Sequence, residues 1–202
     1  MDQVRRCFDI VASLAALLLL SPLFLVMGIW IRLDSSGRTL FSQPRVGRNG
    51  KEFLLFKFRT MLDPRHAPPP VVAPPQTEQE AKFRRDFCCE TCARPLEQCI
   101  CVTRAGRLLR KTGLDELPQL WNVLCGDMTF VGPRPTLRYQ VEQYSSRERR
   151  RLAVKPGITG LAQISGRNKI PWDKKIELDL WYVEHRSLWL DCQILFLTLV
   201  RG

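Results

Sequence analysis

Residues 10–31 form an almost wholly apolar run that is broken near its middle by Ser21-Pro22. About twenty such residues suffice for a helix to cross the hydrocarbon core of a bilayer. Proline has no N–H, and its ring clashes with the carbonyl four residues back. A helix here therefore bends at Pro22 and leaves the Leu18 carbonyl short of a donor. The Ser21 hydroxyl is placed to supply one. Arg5 and Arg6 precede the run, and Arg32, Arg38, Arg45, Arg48 and Lys51 follow it. The charge rule that orients membrane helices then puts both flanks on the cytoplasmic side, which a single crossing cannot satisfy. Two half-helices of roughly 15 Å, at 1.5 Å per residue, would reach about the bilayer midplane and return. The expectation is a re-entrant membrane helix-hairpin over residues 1–32, with a kinked transmembrane anchor as the alternative. The stretch is too long for a cleaved signal peptide, and no small-residue cleavage site follows it.

Residues 33–202 suffice for one cytosolic domain with its own core. The formal net charge of +11 admits nucleic acid, anionic lipid or a phosphorylated substrate. A membrane segment puts lipid headgroups and phosphate esters first. Eight cysteines without a secretion signal, beside cytoplasmic flanks, indicate a reducing compartment. Residues 39–42 and 53–58 read as short strands, with Arg45 and Arg48 in the turn between them. Residues 63–102 read as an insertion that opens as a polyproline linker and becomes cysteine-rich. There Cys89, Cys92, Cys99 and Cys101 offer four thiolates for tetrahedral zinc, with Cys88 as a substitute ligand and unligated thiols as the alternative. Cys7, Cys125 and Cys192 are isolated and read as packing residues.

Farther on, residues 104–110 are basic and amphipathic. Leu117, Leu120, Trp121 and Leu124 repeat at helical spacing, which predicts a helix from Asp115 to Cys125 with Pro118 in its first turn. The sequence Val131-Gly132-Pro133-Arg134-Pro135 is too rigid for helix and reads as a fixed loop presenting one guanidinium. Ser145 or Ser146 is placed to cap a helix through Arg151, whose Arg147, Arg149, Arg150 and Arg151 form a solvated face or rest on anionic lipid. Residues 155–167 read as a glycine-rich loop, and residues 173–185 as an amphipathic helix with Ile176, Leu180 and Val183 on one side. Residues 188–200 are apolar but too short to span. They are either a core helix or an interfacial one, with Trp172, Trp181, Tyr182 and Trp189 at headgroup level.

The best candidate for a reactive site is Asp115-Glu116 with Lys57, Arg59, Arg110 and the Arg134 loop. Taken alone, two acids at a helix start also serve to complement its positive end, a contribution of about 0.3 to 1 kcal/mol each. Read together, Phe56-Lys57-Phe58-Arg59-Thr60-Met61, Leu109-Arg110-Lys111-Thr112, Leu114-Asp115-Glu116-Leu117-Pro118-Gln119, Val131-Gly132-Pro133-Arg134-Pro135 and Lys155-Pro156-Gly157-Ile158-Thr159-Gly160 resemble the bacterial sugar transferases. These are the small monotopic phosphoglycosyl transferases. The resemblance covers nearly all of the chain except residues 63–101, a connection longer than the family's usual one, and the Ser21-Pro22 break resembles the family's re-entrant helix.

The resemblance implies a mixed α/β, mostly helical fold: a re-entrant hairpin plus a small catalytic domain with interfacial helices, on the cytoplasmic face of a bacterial inner membrane. It implies transfer of a sugar 1-phosphate from a UDP-sugar to undecaprenyl phosphate, with release of UMP. Asp115 matches the family's nucleophile, which forms a covalent phosphosugar intermediate, and Glu116 matches its partner and would hold Mg²⁺. Lys57, Arg59 and Arg110 become candidates for phosphate contact. Pro133, Arg134 and Pro135 match a motif used near the nucleotide. His66 and His185 match no catalytic position. Nothing resembles the extra transmembrane helices of the larger subfamily, so the chain reads as the minimal catalytic form. The rival readings are an inactive membrane scaffold and a membrane-tethered zinc module. The insertion has too few aromatic residues to stack bases, so no nucleic acid partner is expected.

Overall fold

Pro22 interrupts the long apolar run as its chemistry requires. In the computed structural model, helix α1 (Asp2–Leu19) ends just before the proline, and α2 (Ser21–Asp34) restarts at the serine with a bend of 60° between them. The Ser21 hydroxyl donates to the Leu18 carbonyl at 2.8 Å, the acceptor that Pro22 strands. No described helix is by itself long and apolar enough to cross a membrane, whereas the bent pair taken together has the length and composition to do so. The structure describes residues 2–62, 101–166 and 170–201. Cys88, Cys89, Cys92, Cys99, His66 and the proline-rich stretch lie outside the described residues. Of the four proposed zinc ligands only Cys101 is described, and it is buried.

The fold is mixed α/β and mostly helical, as expected. Strands β1 (Leu40–Val46) and β2 (Glu52–Phe58) pair through a tight turn in which Asn49 takes a left-handed conformation, φ 57°. Next come α3 (Arg104–Thr112) and α4 (Gln119–Cys125), then β3 (Thr129–Val131), α5 (Arg138–Glu142), β4 (Gly157–Thr159) and α6 (Leu161–Ile164). The last helices are α7 (Trp172–His185) and α8 (Leu188–Arg201). The chain divides into two compact units. One holds Met1–Ser21, Ser42–Lys57 and Glu116–Gly202, the other Pro22–Phe41 and Phe58–Asp115.

The larger unit is organised around the parallel pair β3 and β4, with Thr129 opposite Gly157 and Val131 opposite Thr159. Glycine makes this pairing possible, because a Cβ at Gly157 would lie 2.1 Å from the Gly132 nitrogen. Val131 packs with Tyr182 of α7 and Ile194 of α8. A second cluster joins Leu55, Val123 and Met128, and a third joins Val46, Val141, Tyr144, Ile176 and Leu180. Helix α1 is tied to this core by polar bonds as well as packing. Arg6 donates to the carbonyls of Val123 and Leu124 at the end of α4, both at 2.7 Å. Asp9 accepts from the Thr129 hydroxyl at 3.0 Å and the Phe130 amide at 3.3 Å, and Arg5 pairs with Asp191 at 2.7 Å. Arg5 and Arg6 are therefore structural cations, beyond the topological role the charge rule gives them.

In the smaller unit, Thr103 caps α3 by accepting from the Gly106 amide at 2.9 Å, and Gly113 ends the helix at φ 71°. Helix α3 lies so close to Thr60 that a Cβ at Gly106 would meet the Thr60 oxygen at 2.1 Å.

Several sequence expectations need correction. The helix expected from Asp115 begins only at Gln119, and Leu114–Glu116 is a separate 3₁₀ turn. Leu117, which precedes a proline, is disfavoured in the helical region, and the next bonds, Leu120 to Leu117 and Trp121 to Pro118, are of the shorter 3₁₀ type. The arginine-rich segment is also a 3₁₀ helix, Glu148–Ala153, and its Arg151 is buried rather than solvated. Tyr182, expected among headgroup aromatics, is only 3% exposed because its hydroxyl sits between the Val131 carbonyl and Asp191. Trp172 packs on the third cluster. Trp181 and Trp189 remain exposed, as do Phe196, Leu199 and Val200.

Candidate active site

Lys57 ends the first unit's share of β2, and Glu116 reopens that unit after the long excursion through the second. Asn122 brings their elements together. Its side chain donates to the Leu54 carbonyl at 2.7 Å and accepts from the Phe56 amide at 3.1 Å. It thereby stitches α4 to the free edge of β2 one residue before Lys57. Lys57 Nζ then lies 2.8 Å from Glu116 Oε1.

Arg134 reaches the same oxygen from the opposite part of the unit, Nη2 at 3.1 Å. Its loop leaves β3 with the Gly132 amide bonded to the Thr159 carbonyl at 2.9 Å. Arg134 stands between two prolines, so it alone in that tripeptide has a main-chain N–H. The loop's carbonyls are held from outside it: Pro133 by the Gly157 amide at 3.0 Å, Arg134 by Arg151 at 3.3 Å, and Pro135 by Arg45 at 3.4 Å. The expectation of a fixed loop presenting one guanidinium matches what is seen. The Arg134 side chain is about half exposed, 53%, while Lys57 and Glu116 are at 19% and 21%.

Burial pushes the Glu116 carboxyl up, but the charges and hydrogen bonds of Arg134 and Lys57 more than offset this and hold its pKa at about 2. Both bonds fall on Oε1; Oε2 takes no hydrogen bond from the described residues. Burial, followed by the neighbouring Arg134 charge, lowers Arg45 to about 10 against the opposing pull of Tyr139 and Glu116. Arg45 thus remains a cation at neutral pH. Lys57, Arg134 and Arg45 set three cations around Glu116, and this positive charge suits a site that receives an anion.

Residues 1–202 match the sequence pattern of the family described as Bacterial sugar transferase. The chain belongs to the bacterial sugar transferase family. Among its sugar transferase relatives is EpsL of Bacillus subtilis, named an uncharacterized sugar transferase. It is 42% identical over 195 residues, covering 96% of this chain and 85% of the relative. The undecaprenyl-phosphate galactose phosphotransferase of Salmonella typhimurium is 40% identical over 96% of this chain. The undecaprenyl-phosphate glucose phosphotransferase of Komagataeibacter xylinus is 38% identical over 98%. The chain spans only 39% and 35% of these last two proteins.

In this sugar transferase, Asp115 directly precedes Glu116 on the same 3₁₀ turn. Of the remaining sequence-predicted cations, Arg59 is 8% exposed and donates to the Ile31 carbonyl in the last turn of α2 and to the Ser35 and Ser36 carbonyls just after it. These bonds give Arg59 a role in holding the end of α2. Arg110 Nε lies 2.9 Å from the Thr60 hydroxyl. His185 stacks on Trp181, a surface role. Asn122 and Arg45 were missed as contributors to the site. Asn122 is apolar in its spacing and polar only in its side chain, and Arg45 was read as an ordinary turn residue.

Among the described residues no group of three or more acidic, histidine or cysteine side chains could hold a metal. Magnesium does not require such a cage, since it is commonly bound by one or two carboxylates with substrate phosphates and waters completing the octahedron. An ionised Glu116 with Oε2 uncommitted fits that mode.

Proposed function

We propose that this sugar transferase moves a sugar 1-phosphate from a UDP-sugar to undecaprenyl phosphate, as the first membrane step of a polysaccharide or related glycan. The observation that carries the reading is the convergence of Lys57 and Arg134 on Glu116, immediately after Asp115 in the chain. The names of the galactose and glucose phosphotransferases, at 40% and 38% identity, supply the class of acceptor and of reaction.

In the first step a carboxylate oxygen of Asp115 attacks the sugar-side phosphorus. The bond from that phosphorus to the bridging oxygen breaks, and UMP departs with the electron pair. In the second step a phosphate oxygen of undecaprenyl phosphate attacks the same phosphorus. The bond to Asp115 breaks, the carboxylate is restored, and a polyprenyl diphosphate sugar is released. Covalent catalysis divides one difficult displacement into two. Lys57 and Arg134 meet charge that develops on the phosphate oxygens, and half-exposed Arg134 is the cation best able to reach the nucleotide. Glu116 would hold Mg²⁺, which on binding would neutralise diphosphate charge. The bent pair α1 and α2 is read as a re-entrant hairpin, and exposed Trp189, Phe196 and Leu199 of α8 as interfacial contacts. Both would keep the site at the cytoplasmic headgroup plane, where a lipid phosphate and a soluble nucleotide meet.

The test is incubation of detergent-solubilised protein with Mg²⁺, undecaprenyl phosphate and a panel of UDP-sugars, following UMP. Turnover with one donor, abolished in Asp115→Asn, with a phosphosugar adduct on Asp115 when acceptor is omitted, is the expected result. Absence of UMP with every donor would leave the scaffold reading in its place.

A further inference from the structure

The loop that carries Arg134 has almost no means of holding itself. With prolines on both sides only Arg134 contributes an N–H, so its shape depends on donors from elsewhere. One of these donors is a buried charge. Arg151 and Asp179 are each 3% exposed and directly paired, and Arg151 Nη1 lies 2.5 Å from the Tyr144 hydroxyl. The guanidinium also faces the Tyr144 and Trp172 rings, at 5.6 and 5.7 Å from their centroids. Burying two charges is costly, and apolar residues of similar volume often fill such space at least as well. The nitrogen that pairs with Asp179 makes one further bond, to the Arg134 carbonyl at 3.3 Å.

We propose that Arg151 is a positioning residue. Anchored in the interior by Asp179 and Tyr144, it holds the main chain of Arg134 and thereby fixes where the Arg134 guanidinium meets Glu116. The assignment rests on the transferase reading of the Glu116 site. The planar fork is essential to it, since three acceptors in different directions are shared between two nitrogens. The single ammonium of a lysine cannot reproduce that geometry.

The experiment compares the wild type with Arg151→Lys in the full chain. It reads deuterium uptake of peptides covering residues 131–137 and 172–185, together with steady-state transfer from the active UDP-sugar. The expected result is at least five-fold faster exchange in residues 131–137, with residues 172–185 unchanged. Alongside it kcat/KM for the donor falls at least ten-fold, mostly through KM. Unchanged exchange in the loop, or faster exchange with unchanged KM and kcat, overturns the proposal. Where Arg151→Lys does not fold, the double variant Arg151→Met with Asp179→Leu removes both buried charges and takes the same two measurements. If the wild type transfers from no donor, the transferase reading fails by itself, and loop exchange in the variant still decides for or against the clamp.

Discussion

Lys57 Nζ and Glu116 Oε1 lie 2.8 Å apart across 59 residues of sequence, and the bond joins the end of a strand to a single 3₁₀ turn. The contact helps to hold the Glu116 ionisation state, second to the charge of Arg134. Glu116 would be poorly solvated without it, and with Arg134 on the same oxygen it stays charged far below neutrality.

The low Glu116 pKa makes a prediction about acid stability. A carboxyl depressed from 4.5 to about 2 contributes about 3 kcal/mol, at 1.36 kcal/mol per pKa unit. This contribution is complete above the unfolded pKa and is lost as pH falls from about 4.5 through 2. Thermal unfolding of wild type and Glu116→Gln should therefore differ most at pH 6, differ less at pH 3, and converge only near pH 2 and below. A constant difference across that range would contradict the assignment.

Removing one cation should move the same carboxyl. Lys57→Met leaves Glu116 with Arg134 alone, so its pKa rises and the convergence with Glu116→Gln shifts to higher pH. Transfer at pH 7 should drop at least ten-fold, because the phosphate loses a cation as well. The pH profile of unfolding in Lys57→Met checks the first effect, and initial rates check the second.

Asn122→Leu keeps the branched shape of the side chain and removes both bonds to β2. It strands the Leu54 carbonyl and the Phe56 amide, each worth about 1 to 3 kcal/mol when buried without a partner. The unfolding midpoint should fall accordingly, and transfer should weaken because Lys57 follows directly on Phe56. Unaltered stability would show that the stitch between α4 and β2 is dispensable.

Two glycines should respond very differently to alanine. Gly157→Ala puts a Cβ on the Gly132 backbone, so the β3–β4 pair must part and the Arg134 loop shift, with transfer lost or reduced at least ten-fold. Gly50→Ala meets open space at φ 78° and should cost about 1 kcal/mol of backbone strain with transfer nearly unchanged. Thermal midpoints and rates of the two variants, measured side by side, test the contrast.

What the sequence revealed and what it hid follow from the range of the interactions. The break at Ser21-Pro22, including the hydroxyl that rescues Leu18, is local chemistry and was legible. So were the β1–β2 hairpin, the end of α4 at Gly126 and the rigid loop around Arg134, each governed by proline or glycine. The start of α4 was misplaced because apolar spacing continues through Leu117 while Pro118 prevents the helical bonds. Strand β4 was hidden because three residues beginning with glycine carry no alternating pattern. The burial of Arg151 could not be inferred from its basic neighbours, since its partner Asp179 lies 28 residues away. The roles proposed for Asp115 and Glu116 come from resemblance. Composition and spacing alone favour simple charge complementation over catalysis for Asp115 and Glu116.

The bonds from Arg6 and Asp9 to α4 and β3 bear on how a water-soluble version of this protein could be engineered. Deleting the first helix, or exchanging it for a generic lipid anchor, would do more than change where the molecule resides. It would uncap the carboxyl end of α4 and leave the Thr129 and Phe130 donors without Asp9, loosening the scaffold behind Glu116. Solubilisation would have to begin after Asp9, by recolouring the outward apolar positions from Val11 to Leu19 while the first nine residues are kept intact.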